Sequence, residues 1–270
     1  MVYGDLVNDP KERNKVLQEE LGFKEEELTP RIVVTPIPFS HVFPHDLEDR
    51  IAALGIHYEW RHVTDPLLRP HHGNLLLEKD GKRGIVAFLG RGLIDFTERI
   101  RLISLTSVVK EVLFLGSAGS LDSAFRTGDL NIPRYVIPFE NISTIYVDVT
   151  RAVPKADETL YKEVHNIAKK TGLRVLSRLH ATVPLIYMET KEFLEYLRGV
   201  GISTIDMELS AFYRITRFHG KKAIAVLRTA DIPLEGAHFF SEEYEKHEKE
   251  RKEKALEAFL AISLQFLGLT

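Results

Sequence analysis

The chain predicts an α/β domain of three layers, with helices covering both faces of a mixed and mostly buried central sheet. Apolar runs rich in β-branched residues alternate with stretches of helical periodicity along the sequence. Two of those runs, Val112–Leu115 and Ala223–Leu227, are apolar without alternation, as strands covered on both sides are. With 270 residues and 44% hydrophobic content the chain can bury one large core, and no repeat or low-complexity linker divides it. Residues 1–30 read as an N-terminal extension and residues 31–270 as a single domain.

In chain order, the charged stretch Met1–Leu28 predicts a short helix and no evident chemistry. Strands follow at Arg31–Thr35, Asn74–Glu78, Gly84–Leu89, Glu111–Gly116, Asp129–Ile137, Ile202–Asp206 and Ala223–Thr229. Helices are expected over Pro44–Leu54, Ile94–Val108, Asp157–Thr171, Thr190–Gly199, Met207–His219 and Ser241–Leu267. Asp157 and Thr190 each precede an apolar periodicity and suit N-caps, while Gly172 and Gly220 follow one and suit C-terminal stops. In the last helix, Glu242–Lys254 alternates charge sign at helical spacing, which fits a solvated face and not a single-signed nucleic-acid arm.

Composition narrows the function classes. Lys+Arg 36 against Asp+Glu 39 gives a net charge of −3, so no general nucleic-acid or anionic-membrane surface is expected. The absence of cysteine excludes disulfides, thiolate nucleophiles and Cys-ligated metals. No apolar run has membrane-spanning length and the first residues lack a secretory core, so a cytoplasmic protein is expected. Gln18 and Gln265 are the only glutamines, a depletion that, with 28% charged residues, matches the thermophile pattern.

Ligands of open α/β sheets gather at the carboxyl ends of strands, which directs attention past Leu115, Ile205 and Leu227. Past Leu115 lies Gly116-Ser117-Ala118-Gly119-Ser120, either an anion-binding turn of converging N–H groups or a plain strand-to-helix turn. Past Ile205 lies Asp206-Met207-Glu208, either a carboxylate for sugar hydroxyls or a first-turn acid favoured by the helix dipole. Past Leu227 lies Arg228-Thr229-Ala230-Asp231, whose acid suits proton donation or an Asx turn. Together the three strand ends argue for one shared site.

These residues resemble the nucleoside phosphorylase superfamily, which includes purine nucleoside and uridine phosphorylases and several nucleosidases. The resemblance runs from about Arg31 to the C-terminus and rests on Gly116–Gly119 with Gly128-Asp129, on Ile205–Glu208, and on Asp231. The stretch Asp231–Gly236 is most similar to the matching loop of AMP nucleosidases. The resemblance implies N-glycosidic bond cleavage, with Asp231 as general acid on a purine nitrogen. It also implies ribose binding by Met207 and Glu208, and a base stacked near Ile186 or Tyr187. Phosphate or water would sit by Gly116, Ser117 and Gly119. No cofactor is implied beyond inorganic phosphate as co-substrate in a phosphorylase, and the partner is a small nucleoside or nucleotide bound by a homo-oligomer, a trimer or hexamer.

Departures from the family pattern favour hydrolysis. Phe114 occupies the place of a phosphate-gripping arginine, and Thr35-Pro36-Ile37-Pro38-Phe39-Ser40-His41 replaces the family's early phosphate loop, with His41 near its arginine position. Only Arg69 aligns with a third phosphate arginine, one donated across a subunit interface. A phosphate held without bidentate arginines loses its strongest contacts. The runner-up is a phosphorylase with an anion site rebuilt from Arg69, His41 and Arg91, followed by a degenerate family member that only binds a nucleoside. No water-activating base is evident. His41, His45, His57, His62, His71 and His72 crowd one stretch, but Pro44 interrupts the His41–His45 spacing and no metal site is expected.

Overall fold

The structure is a computed structural model that describes residues 7–61, 73–141, 153–236 and 242–270, with side chains in the last segment from residue 250. Eleven strands among the described residues form one mixed sheet: β1 (Arg31–Thr35), β2 (His57–Arg61), β3 (Asn74–Lys79), β4 (Lys82–Phe88), β5 (Glu111–Ser120), β6 (Leu130–Asn131), β7 (Val136–Pro138), β8 (Val175–Leu176), β9 (His180–Thr182), β10 (Thr204–Asp206) and β11 (Lys222–Asp231). The main path runs β2-β3-β4-β1-β5-β10-β9-β7, while β11 lies along the other edge of β5 and leads to β6 and β8.

The long strand β5 organises the sheet. One of its edges pairs with β11 in parallel from Glu111 to Gly119. The opposite edge pairs in parallel with β1 from Glu111 to Phe114, then antiparallel with β10 at Gly119 and Ser120. Between those two partners, Leu115–Ala118 has no ladder partner among the described residues on that edge. The sheet therefore parts at the carboxyl end of β1, where such folds admit ligands.

Helices cover the sheet as its apolar runs require. α1 (Pro10–Leu21), α2 (Leu47–Ala53), α3 (Leu93–Leu105), α4 (Glu158–Lys169), α5 (Lys191–Gly199), α6 (Leu209–Phe218) and α7 (Glu242–Leu267) connect the strands. On one face Phe96 of α3 and Phe212 of α6 close on Phe114 of β5, with ring centroids 5.5 and 5.2 Å away. On the other, α7 buries Phe259, Ile262 and Phe266. Gly84 of β4 allows that approach: a Cβ there would lie 2.9 Å from Leu267 Cδ1. Leu17, Leu21 and Phe23 of the N-terminal extension belong to the same core as β1. The expected caps are present. Asp157 accepts from Thr159 N and Leu160 N, Thr190 accepts from Phe193 N, and Gly172 and Gly220 take positive φ of 77° and 69°.

The structure corrects three sequence expectations. The strand expected over Asp129–Ile137 is broken in two, since Pro133 has no N–H for the ladder and its carbonyl instead accepts from the Tyr213 hydroxyl. Residues Gly116–Ser120 are not a turn but the continuation of β5, held straight by β10 and β11. The helix expected from Pro44 begins at Leu47. No helix among the described residues is long and apolar enough to cross a membrane.

Candidate active site

Because Gly116 and Gly119 lie in extended backbone, neither takes a positive φ, and their role is close approach rather than convergence of N–H groups. A Cβ on Gly116 would fall 2.5 Å from Phe114 Cε1, so the flat ring of the buried aromatic cluster occupies that space. A Cβ on Gly119 would fall 3.1 Å from Asp231 Oδ1. The Asp231 carboxyl therefore rests on the glycine strand itself.

Asp231 is carried there by a β-bulge. Thr229 pairs with Ala118 and Asp231 with Gly119, which leaves Ala230 as an extra residue. Side chains alternate along a strand, so the bulge returns Asp231 to the face shared by Arg228, Ser117 and Gly119. Asp231 is buried, at 7% exposure. Its negative charge acts on Glu189, which follows the 3₁₀ turn Ile186–Met188. Burial first and Asp231 second push the Glu189 carboxyl up to about 7. Ile186 and Tyr187, expected at the base, lie on the exposed side of that turn, with Tyr187 90% exposed.

On the other flank of Gly119, β10 delivers the second group of acids. Ile205 pairs with Gly119, the strand ends at Asp206, and the chain continues through Met207 to Glu208 at the start of α6. Glu208 stands at the N-cap of α6 without capping it through its side chain; Asp206 Oδ2 instead accepts from Leu209 N at 2.9 Å, and its Oδ1 accepts from the Thr182 hydroxyl at 2.7 Å and lies 2.9 Å from His180 Nε2. Relieved of capping, the Glu208 side chain turns to Gly92, whose N–H donates to Oε1 at 2.9 Å. Glu208 is buried, and its carboxyl is pushed up by burial and by Asp206, against the opposing pull of two backbone N–H groups and Arg91. Met207 is half-buried beside it.

His41 ends the 3₁₀ turn Phe39–His41 just past β1, at the parted edge of the sheet. Partial burial, then the charges of Lys252, Arg228 and Arg91, hold its imidazole below the ordinary histidine range. Arg69 lies outside the described residues, as do His62, His71 and His72. Among the described residues no cluster of three metal-ligating side chains occurs.

Two residues that sequence reasoning did not single out thus belong to the site. Glu189 carries no periodic or motif signal, and only its burial and the charge of Asp231 acting on it mark it in the structure. Arg228 stands in the inspected segment but reads as the polar end of an apolar strand; only the pairing with Ser117 and its 3% exposure reveal it.

The family model described as the phosphorylase superfamily matches residues 57–266. A DeoD-type purine nucleoside phosphorylase of Bacillus cereus is 24% identical over 178 residues, covering 66% of this chain and 76% of the relative. Among solved structures, uridine phosphorylase from Vibrio fischeri superposes with a TM-score of 0.73 at 17% identity, covering 94% of this chain and 97% of that one. AMP nucleosidase from Bacteroides thetaiotaomicron gives a TM-score of 0.67 at 17% identity, covering 95% and 97%. Purine nucleoside phosphorylase from Toxoplasma gondii, in complex with immucillin-H, gives 0.69 at 16% identity, covering 93% and 94%.

Proposed function

Since the chain belongs to the phosphorylase superfamily, we propose that it cleaves the N-glycosidic bond of a purine nucleoside or nucleotide. The observation that carries the reading is the placement of Gly119 between Ile205 and Asp231, which brings the sugar-side and base-side acids to the two flanks of one strand. Bond cleavage passes through a cationic sugar and a base leaving with excess negative charge. The proton that the Asp231–Glu189 pair holds up to about pH 7 passes through Asp231 to a purine ring nitrogen, Glu208 holds the ribose hydroxyls, and Met207 packs against the sugar. Ile186 and Tyr187 cover the base on binding. Purine is preferred over pyrimidine because of the DeoD-type relative and because Glu189 sets a second carboxyl beside Asp231.

Phosphate is the nucleophile we favour, because Arg228 is buried with unsatisfied donors opposite Ser117 and, with Arg91 and Lys252, acts on His41. An oxygen of phosphate forms the bond to C1′ as the C1′–N bond breaks, its electron pair passing to the base, to give ribose 1-phosphate and free base. Hydrolysis is the second reading, supported by Phe114, which is locked in the apolar cluster and contributes nothing to an anion. We place the reaction in a homo-oligomer, a trimer or hexamer, which light scattering after size exclusion checks.

The test is release of free base from adenosine, inosine, uridine, methylthioadenosine and AMP, each with and without phosphate, followed by chromatography. Purine release that requires phosphate is expected. Release independent of phosphate selects hydrolysis, and binding with no base released selects a nucleoside-binding protein.

A further inference from the structure

We propose that Arg228 is the principal ligand of a phosphate-class oxyanion at this site, standing in from β11 for a cation that β5 lacks at Phe114. This inference rests on the N-glycosidic reading above and names the residue that seats the nucleophile.

A guanidinium is costly to bury unless its N–H groups are paired. Arg228 is 3% exposed, yet its Nε and Nη1 have no hydrogen-bond partner. These two donors lie on different edges of the planar guanidinium, so whichever edge faces the site keeps a buried, unsatisfied N–H for an oxyanion. Among the described residues neither of these two nitrogens meets a carboxylate within hydrogen-bond distance.

The position suits a nucleophile. Arg228 pairs with Ser117 in register, and side chains so paired share a face, which adds the Ser117 hydroxyl to the same small volume. Three residues on, past the bulge, Asp231 shares that face. Ser117 also lies within Leu115–Ala118, the part of β5 left without a ladder partner between β1 and β10. His41 closes the set at the end of β1, within electrostatic reach of Arg228, Arg91 and Lys252. The cations Arg91, Arg228 and Lys252 therefore come from the segment before α3, β11 and α7, and the turn after β1 adds the His41 imidazole.

Phe114 explains why the cation had to come from elsewhere. Its ring points to the opposite face, into Phe96 and Phe212, where a charged group would be stranded in the core.

The same chemistry serves inorganic phosphate or the phosphate of a nucleotide, and the experiment separates them. Calorimetric titration with inorganic phosphate alone is run on the wild type, Arg228→Met and Arg228→Lys, together with base release from adenosine plus phosphate and from AMP without it. Circular dichroism melting verifies that each variant folds. We expect phosphate affinity to fall about 10- to 100-fold in Arg228→Met, the loss of charge-assisted hydrogen bonds, with the KM for adenosine changed less than threefold. Arg228→Lys keeps a charge but loses the fork, and is expected to fall between the two; it decides the matter alone if the Met variant does not fold. Impaired turnover of AMP with normal phosphate titration assigns the anion to the nucleotide. Phosphate affinity and AMP turnover both unchanged in a folded variant overturn the assignment, as does a wild type that takes up neither anion. If phosphate binding depends on Arg228 but no nucleoside or nucleotide is cleaved, the anion site stands and the N-glycosidic reading fails. If base is released and no variant affects it, the reverse holds.

Discussion

Asp231 and Glu189 press like charges into one poorly hydrated corner, and the second of the two answers by holding its proton to about pH 7. A base departing with excess electrons leaves more readily past a neutral carboxyl than past a carboxylate. We therefore expect kcat/KM to decline as pH rises through about 7, and Glu189→Gln, which cannot ionise, to lose that limb; a pH-rate profile of both proteins checks it. Asp231→Asn removes proton delivery while keeping shape. Its kcat is expected to drop by about 10²–10⁴-fold with nucleoside affinity little changed, as steady-state rates and calorimetry on the same preparation would show. Wild-type turnover in this variant would remove Asp231 from the mechanism.

Among elements, β5 and β11 set the site, and the contact between them at Gly119 is tight. A methyl group 3.1 Å from Asp231 Oδ1 has to displace the carboxylate by a few tenths of an ångström. Gly119→Ala is thus expected to lower kcat by about 10-fold or more, since small misplacements are costly in catalysis, while melting changes by no more than a few degrees. How legible such features are in sequence depends on their reach along the chain. The bounds of β1 and the caps Asp157 and Thr190 are local and read directly. β8 and β9, two and three residues long, are too short to show a period, and β2 is a largely polar edge strand whose partners set it. Glycine spacing marked Gly116 and Gly119 as special but suggested a turn, because whether a glycine serves φ or close approach depends on strands a hundred residues away. Arg228 and Glu189 acquire their meaning only from partners that pairing and folding bring to them.

For the whole molecule, buried acids make stability depend on pH in an unusual direction. Glu189 and Glu208 both have folded-state pKa values raised above those of the unfolded chain, so the folded protein binds the extra protons. Their contribution is complete below the unfolded value of about 4.3 and is lost as pH rises through the folded values. The melting temperature is expected to fall between about pH 5 and 8, with a shallower slope in Glu189→Gln and Glu208→Gln, measurable by differential scanning calorimetry across that range. Glu208→Gln is further expected to weaken ribose recognition and rate together, in contrast to its effect on the slope. A nucleoside that makes the charged form of Glu208 useful would offset part of the ionisation cost, so ligand and proton compete for the same group.

The extra residue at Ala230 also has a bearing on how such a protein changes over generations. Loss of that single codon would straighten β11 and still leave the acid two residues past Arg228, opposite Gly119 and on the same face, because the bulge and the alternation it offsets would vanish together. A lineage can therefore lengthen or shorten this strand end by one residue and keep its acid aimed the same way, so variation in length here need not signal a change of trade.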